Sequence, residues 1–190
     1  MSFVEVYKTK RYHLFKRINE AGFVCKLSMA FLFACLTGVG AMIRIYLPFT
    51  PVPLTLQVFF VLLSGVVLGK YYGGLSQAVY AGFGLLGVPW FTSPSALFGV
   101  TGGYIIGFIF ASMAVGWVNE KMKIKRLPYA FIPMLLGVGI IYAFGSLQFS
   151  LVMHTSMYET MMMAVVPFIA LDTIKAFGAS LATFIIMPEK

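Results

Sequence analysis

Charged residues are scarce in this chain. Only 11% of its 190 residues are Asp, Glu, Lys or Arg, whereas 60% are hydrophobic. A soluble domain of average composition carries roughly 25% charged residues. The chain therefore has too few charges to cover a surface in water, and its composition predicts a membrane protein without a second, soluble domain.

Several kinds of catalytic site are also missing. The two cysteines, Cys25 and Cys35, lie in or near a single apolar run, which argues against a disulfide framework or a metal site. No cluster of His, Glu and Cys has metal-ligand spacing, and no nucleophile is accompanied by a general base. The stretch SGVVLGK (64–70) has one residue too few for a phosphate-binding loop. The sequence therefore predicts neither an enzyme nor a bound cofactor.

The hydrophobic residues are grouped into six segments. A helix that spans a bilayer needs about 20 mainly apolar residues. The second and third segments are short and meet at GKYYGG (69–74). We therefore predict an all-α membrane protein with six transmembrane helices, at Leu27–Tyr46, Leu54–Gly69, Gly73–Val88, Gly99–Val118, Tyr129–Leu151 and Ala164–Met187.

Basic residues lie on one side of this arrangement. Of the 14 Lys and Arg residues, all except Arg44 and Lys175 flank alternate ends of the six segments. Cytoplasmic flanks of membrane helices accumulate Lys and Arg. We therefore predict that both termini are cytoplasmic and that PFTPVP (48–53) faces outward. Because topology accounts for the positive charge, no nucleic-acid partner is expected.

The N-terminal residues differ in character from the rest. Residues 1–25 are basic and contain aromatic side chains, which predicts a cytoplasmic segment that is either an interfacial helix on anionic lipid or a disordered tail. Residues 26–190 are predicted to form the six-helix transmembrane domain, in which any substrate would bind.

Two ionisable residues fall inside the last predicted helix. Asp172 and Lys175 are three apart in ALDTIK (170–175), so they share one helix face. Ionisable groups within a membrane are costly and usually mark a substrate or ion path. The alternatives are an ion pair that only neutralises itself, or a Lys175 side chain that reaches the headgroups. Arg44, nearer a helix end, is open to a similar choice.

Small residues recur every four positions in several predicted helices. Ala30, Ala34 and Gly38 do so in the first helix, and Gly103 and Gly107 belong to such a stripe in the fourth. Small side chains let helix backbones approach closely in lipid. Each stripe predicts either packing inside the bundle or docking of another membrane protein.

Five motifs occur along the chain in a characteristic order. They are RIYLPFTPVPLTLQ (44–57), GLLGVPWF (84–91), TGGYIIGF (101–108), IYAFG (141–145) and PFIALDTIKA (167–176). Together they resemble the motifs of the BioY family, the biotin-binding S components of energy-coupling factor (ECF) transporters.

The resemblance implies a subunit of the cell membrane that captures biotin from outside and delivers it through an ATP-driven transporter. The implied partners are a transmembrane coupling subunit and two ATPase subunits. AFLFA (30–34) resembles the AxxxA pattern by which such components dock on the coupling subunit. This favours the docking interpretation for Ala30 and Ala34.

The chemistry of biotin then selects candidate site residues. Its ureido ring offers N–H donors and a carbonyl, its body is apolar, and its tail ends in a carboxylate. Such a ligand requires an acceptor, polar partners, an aromatic wall and a cation. We expect Asp172 to be the acceptor and Lys175 to meet the carboxylate. The predicted substrate-binding residues are Asp172, Lys175, Gln57, Thr55, Tyr104, Trp90 and Arg44.

The proline-rich loop PFTPVPLTLQ (48–57) is predicted to be a short outer lid. Prolines keep such a loop extended without requiring backbone hydrogen bonds. The alternative is a rigid connector that does not touch the ligand.

Two other functions remain open at the level of sequence. The chain would act as an S component for another vitamin or a biotin precursor, or as a stand-alone ion-coupled carrier that uses Asp172.

Overall fold

Helices account for most of the residues that the computed structural model describes, which are residue 20 and residues 22–91, 93–122 and 127–186. Most of the predicted N-terminal segment, 1–25, lies outside this part of the chain. The helices are α1 (Phe23–Met42), α2 (Gln57–Leu85), α3 (Gly102–Met122), α4 (Leu127–Met153), α5 (Met157–Ala164) and α6 (Val166–Ile186), with a short 3-10 helix at Pro94–Phe98.

Five of these helices are long and apolar enough to cross a membrane, namely α1, α2, α3, most of α4 and most of α6. Helices satisfy all their backbone hydrogen bonds internally, which is what a bilayer demands of a spanning segment. The predicted class, an all-helical multi-pass membrane protein, is therefore confirmed. With eight residues, α5 is too short to span.

Helix α2 consists of two antiparallel arms joined at Gly69, whose φ of 75° and ψ of −179° are not helical. Gln57 in the first arm donates a hydrogen bond to Tyr80 in the second at 2.6 Å. In a straight helix these residues would lie about 34 Å apart. The arms touch at Gly65 and Gly73, where an added side-chain carbon would approach the opposite backbone to 2.9 Å. The two short predicted helices correspond to these two arms.

Small residues pack the arms of α2, α3 and α4 against one another. A side-chain carbon on Gly65 would lie 2.4 Å from the backbone oxygen of Ser112 in α3, and one on Gly103 would lie 2.2 Å from that of Phe144 in α4. Ser64 and Ser112 are fully buried and share a hydrogen bond of 2.9 Å. For these stripes, internal packing is the interpretation that the structure supports.

The segment after α1 is a hairpin. Strand β1 (Arg44–Ile45) pairs antiparallel with strand β2 (Leu54–Thr55), so α1 ends at Met42 and not at the predicted Tyr46. Backbone hydrogen bonds therefore tie the base of the proline-rich loop, whereas its role as an outer lid stays a prediction. Between the strands, the Thr50 hydroxyl accepts a bond of 3.2 Å from the Val52 N–H.

Helix α5 lies largely between the predicted segments Tyr129–Leu151 and Ala164–Met187, where the hydrophobic pattern predicts no helix. Ser156 caps it: its hydroxyl accepts a bond from the Glu159 N–H, and the Glu159 carboxylate accepts one from the Ser156 N–H. This reciprocal pairing satisfies two backbone donors that a helix start otherwise leaves free.

The bundle has two chemically different ends. At one end, the Glu120 carboxylate accepts a bond of 3.0 Å from the Lys70 N–H and lies 3.9 Å from the Lys70 ammonium. The hairpin, the 3-10 helix and α5 lie at the other end. Lys70 thus lies at the same end of the bundle as Glu120 of α3, as the charge pattern predicts; the direction in which the bundle crosses a membrane stays a prediction.

Candidate ligand-binding site

A cavity of about 400 Å³ opens at the hairpin end of the bundle. Its walls come from the hairpin, both arms of α2, the 3-10 helix, α3, α4 and α6. The volume falls within the range of roughly 300–1,000 Å³ that is usual for small-molecule sites. All seven residues predicted from the sequence line it: Arg44, Thr55, Gln57, Trp90, Tyr104, Asp172 and Lys175.

Asp172 and Lys175 form a close ion pair in the wall of this cavity. The Lys175 ammonium lies 2.7 Å from one carboxylate oxygen of Asp172. The Lys175 side chain is 12% exposed and the Asp172 side chain is 6% exposed. The second carboxylate oxygen accepts a bond of 2.8 Å from the Tyr142 hydroxyl of α4. The carboxylate is thus held from two helices.

A chain of polar groups leads from the hairpin into α2. The Thr55 hydroxyl donates to the Gln57 amide oxygen at 2.8 Å, and the Gln57 amide nitrogen donates to the Tyr80 hydroxyl. Each group fixes the orientation of the next. One N–H of the Gln57 amide remains for a guest in the cavity.

Aromatic rings form the apolar wall. The rings of Trp90 and Tyr80 stack with their centroids 5.8 Å apart, and Phe91 meets Tyr80 edge-on at 5.4 Å. A side-chain carbon on Gly38 would lie 2.4 Å from the Trp90 ring, so Trp90 needs a glycine at this position of α1. Helix α1 thereby positions Trp90, which lies in the loop after α2.

Arg44 joins α1 to the loop that carries Trp90. Its Nε donates to the Ala41 carbonyl at 2.9 Å, and its Nη2 donates to the Trp90 carbonyl at 3.2 Å. Both partners are neutral carbonyl groups. The guanidinium is therefore oriented, but its charge is not compensated by these contacts.

The remaining polar residues hold the cavity walls. The Tyr104 hydroxyl donates to the Ala164 carbonyl at 2.5 Å, so its ring faces the cavity while its hydroxyl fixes the end of α5. Gln148 donates to the carbonyls of Leu97 and Gly99, both at 2.9 Å, and ties the 3-10 helix to α4.

Ala30 and Ala34, predicted to dock a partner, are both fully buried. This is a position of internal packing and not an exposed face. The side of α1 that is exposed carries Phe31, Leu32 and Val39. A docking role for the two alanines stays a prediction, and it requires the residues that cover them to move.

Sequence reasoning missed Tyr142 and Gln148. Tyr142 belongs to IYAFG (141–145), so a motif marks it, but neither its spacing nor its type shows that it reaches Asp172 30 residues away. Gln148 carries a weaker signal, as a lone amide in an apolar helix.

The fold and the cavity together define a multi-pass membrane protein with a cavity lined by aromatic, polar and charged side chains at one end of the bundle. The chain belongs to the BioY family, whose family model matches residues 11–188.

Among known proteins, the chain is similar to the Biotin transporter BioY of Thermotoga maritima, with 39% identity over 160 residues, which are 82% of this chain and 92% of that protein. It is also similar to the Probable biotin transporter BioY of Pyrococcus horikoshii, with 37% identity over 169 residues, which are 87% of this chain and 94% of that protein.

The fold is similar to a crystal structure of the S-component for biotin from an ECF-type ABC transporter. The TM-score is 0.78 at 24% sequence identity, and the match covers 85% of this chain and 89% of that one.

Proposed function

We propose that this chain is a biotin-binding S component: it binds biotin in the cavity and hands it to an ECF transporter, without catalysing a reaction itself. Membership of the BioY family and the names of the similar proteins support the ligand and the role. The cavity supports the location of the site, because its volume and its mixture of aromatic and polar walls suit a bicyclic vitamin with a flexible tail.

The observation that carries this proposal is the placement of Asp172 and Lys175. Both line the cavity, and both are nearly buried within an otherwise apolar helix. A buried ion pair contributes little stability compared with apolar residues of similar size, so a pair kept for packing alone has no evident advantage. Facing a cavity, the same pair offers an acceptor and a donor to a polar guest.

Binding would combine three kinds of contact. The carboxylate of Asp172, fixed by Tyr142, accepts hydrogen bonds from N–H groups of the ligand. The ring of Trp90 covers its apolar body, and Gln57 and Thr55 supply further polar contacts from the hairpin side. The hairpin, through Pro51 and Pro53, closes this side of the cavity.

The proposal extends to orientation and partners. The cavity opens outward from the cell membrane, because the opposite end carries Lys70 and Lys121, and basic residues accumulate on the cytoplasmic side. A transmembrane coupling subunit and two ATPase subunits supply the energy, as the resemblance to the S components of ECF transporters implies. Docking involves α1, with Ala30 and Ala34 as the family pattern implies.

Calorimetry of biotin binding to the detergent-purified chain tests the proposal. Lys175→Ala should weaken binding at least about 100-fold, or some 2.7 kcal/mol. The reason is that the substitution removes a donor and leaves the Asp172 carboxylate without its buried cation. Lys121→Ala is the matched control, because Lys121 lies over the Trp117 ring, away from the cavity, and this variant should bind like the wild type.

Wild-type affinity in Lys175→Ala would remove this residue from the site. If biotin does not bind but another vitamin or a biotin precursor does, the S-component role survives with a different ligand. Uptake by the purified subunit alone, driven by an ion gradient and independent of the ATPases, would replace the proposal with a stand-alone carrier.

A further inference from the structure

The charges in the wall of the cavity do not balance. Among the described residues, three charged side chains line it: Arg44, Asp172 and Lys175. The Asp172 carboxylate and the Lys175 ammonium are 2.7 Å apart and neutralise each other. One positive charge, that of Arg44, is left over.

In the described part of the chain, Arg44 forms no ion pair with a carboxylate. Glu120 pairs with Lys70 at the opposite end of the bundle, and Glu159 accepts hydrogen bonds from Ser156. The hydrogen bonds from Arg44 to the carbonyls of Ala41 and Trp90 use two of its nitrogens and hold the guanidinium in place. The other N–H groups of the Arg44 guanidinium take no part in these two hydrogen bonds.

From this balance we propose that Arg44, and not Lys175, receives the carboxylate of the ligand and makes the site select for an anion. The inference rests on the proposed function and replaces the sequence-based expectation for Lys175. A monoanion gains most beside a cation whose charge is still uncompensated, and a guanidinium is shaped to pair with a carboxylate through two parallel hydrogen bonds.

The two groups of charged residues are held by different elements of the wall and therefore have different tasks. The neutralised pair, with Tyr142 of α4, presents hydrogen-bonding groups without net charge and suits an uncharged polar ring. Arg44 is held by α1 and by the loop that carries Trp90, and it suits the tail of the ligand. Because Arg44 also bonds the Trp90 carbonyl, an anion bound there would adjoin the aromatic wall.

Comparison of biotin with its neutral primary amide, biotinamide, tests this assignment on the full-length chain by calorimetry at neutral pH. The wild type should prefer biotin at least about tenfold, or some 1.4 kcal/mol. Arg44→Gln should reduce that preference to within about twofold, whereas Arg44→Lys should keep several-fold of it because the charge remains.

The matched control is the double variant Asp172→Asn/Lys175→Gln, which removes one charge of each sign and leaves the net charge of the cavity unchanged. It should weaken binding of both ligands and keep their ratio. This variant also decides the question if Arg44→Gln does not fold.

Five outcomes are distinguishable. Loss of the preference in Arg44→Gln but not in the double variant supports the assignment. A preference that survives Arg44→Gln, or that disappears in the double variant, overturns it. A wild type that binds both ligands equally also overturns it while leaving the proposed function intact, and a wild type that binds neither ligand rejects the proposed function itself.

Discussion

At the scale of single residues, the candidate site is organised around the Asp172 carboxylate, which accepts hydrogen bonds from Lys175 and Tyr142. Lys175 reaches Asp172 from one turn away on the same helix, whereas Tyr142 reaches it from α4. The spacing of the first pair is visible in the sequence, since residues three apart on a helix share a face. The second contact depends on which helices are neighbours. This is why the pairing of Asp172 with Lys175 can be predicted from the sequence, whereas the contact between Tyr142 and Asp172 cannot.

The hydrogen bond from Tyr142 gives a prediction at this scale. Tyr142→Phe keeps the ring and removes only the hydroxyl, so one oxygen of Asp172 loses its buried donor. Bonds to charged groups contribute about 1.5–3 kcal/mol, which corresponds to at least about a tenfold loss of biotin affinity.

Titration calorimetry of the purified variant measures this loss. Tyr158→Phe is the control, because Tyr158 is 71% exposed in α5. Wild-type affinity in Tyr142→Phe would show that Lys175 alone orients the carboxylate.

At the scale of elements, the apolar runs predict the helices well but place their ends less well. Helix α1 stops four residues before the predicted Tyr46 because the backbone at Arg44 and Ile45 pairs with β2. Helix α5 was not predicted because its eight residues are too few to form a hydrophobic segment that spans a membrane. Its start does carry a readable signal, since Ser156 and Glu159 have capping-box spacing.

The capping contact between Ser156 and Glu159 also affects the titration of the Glu159 carboxyl. Both the backbone N–H and the hydroxyl of Ser156 donate to Glu159, which lowers the pKa of the Glu159 carboxyl below its usual value. A carboxyl whose pKa is lowered on folding stabilises the folded state above its unfolded pKa. That contribution disappears as the pH falls through the lowered value.

The turn at Gly69 gives a prediction at the element scale. Its φ of 75° is a conformation that only glycine adopts readily, and an added side-chain carbon would lie 2.5 Å from the Glu120 carboxylate. Gly69→Ala should therefore destabilise the chain by about 1–3 kcal/mol.

Thermal unfolding in detergent, followed by circular dichroism, measures the effect as a lower Tm. Gly82→Ala is the matched control in the same helix, since nothing lies within 4 Å of the added carbon. That variant should be neutral or slightly stabilising. An unchanged Tm for Gly69→Ala would mean that the two arms of α2 are not held by this turn.

At the scale of the whole molecule, the sequence indicates which residues belong to each end but not how the ends are enclosed. Lys70 and Glu120 adjoin one another, as the distribution of basic residues predicts. The cavity, by contrast, depends on long-range contacts such as those from Gln148 to Leu97 and Gly99, which no local pattern encodes. The burial of Ala30 and Ala34 is likewise a property of the assembled bundle.

The orientation of the bundle can be tested with single cysteines in a variant that lacks Cys25 and Cys35. Phe49→Cys lies in the hairpin, and Tyr71→Cys lies beside the turn of α2; both native side chains are exposed. A membrane-impermeant maleimide on intact cells should label the first position and reach the second only after permeabilisation. The reverse pattern would invert the proposed topology.

The most direct measurement for the central claim is an experimental structure of the purified chain with biotin bound. We expect density for biotin inside the cavity, with its ring at Asp172, Lys175 and Tyr142 and its carboxylate at Arg44. Density for biotin at another place, with Asp172 and Lys175 contacting only each other, would contradict the account.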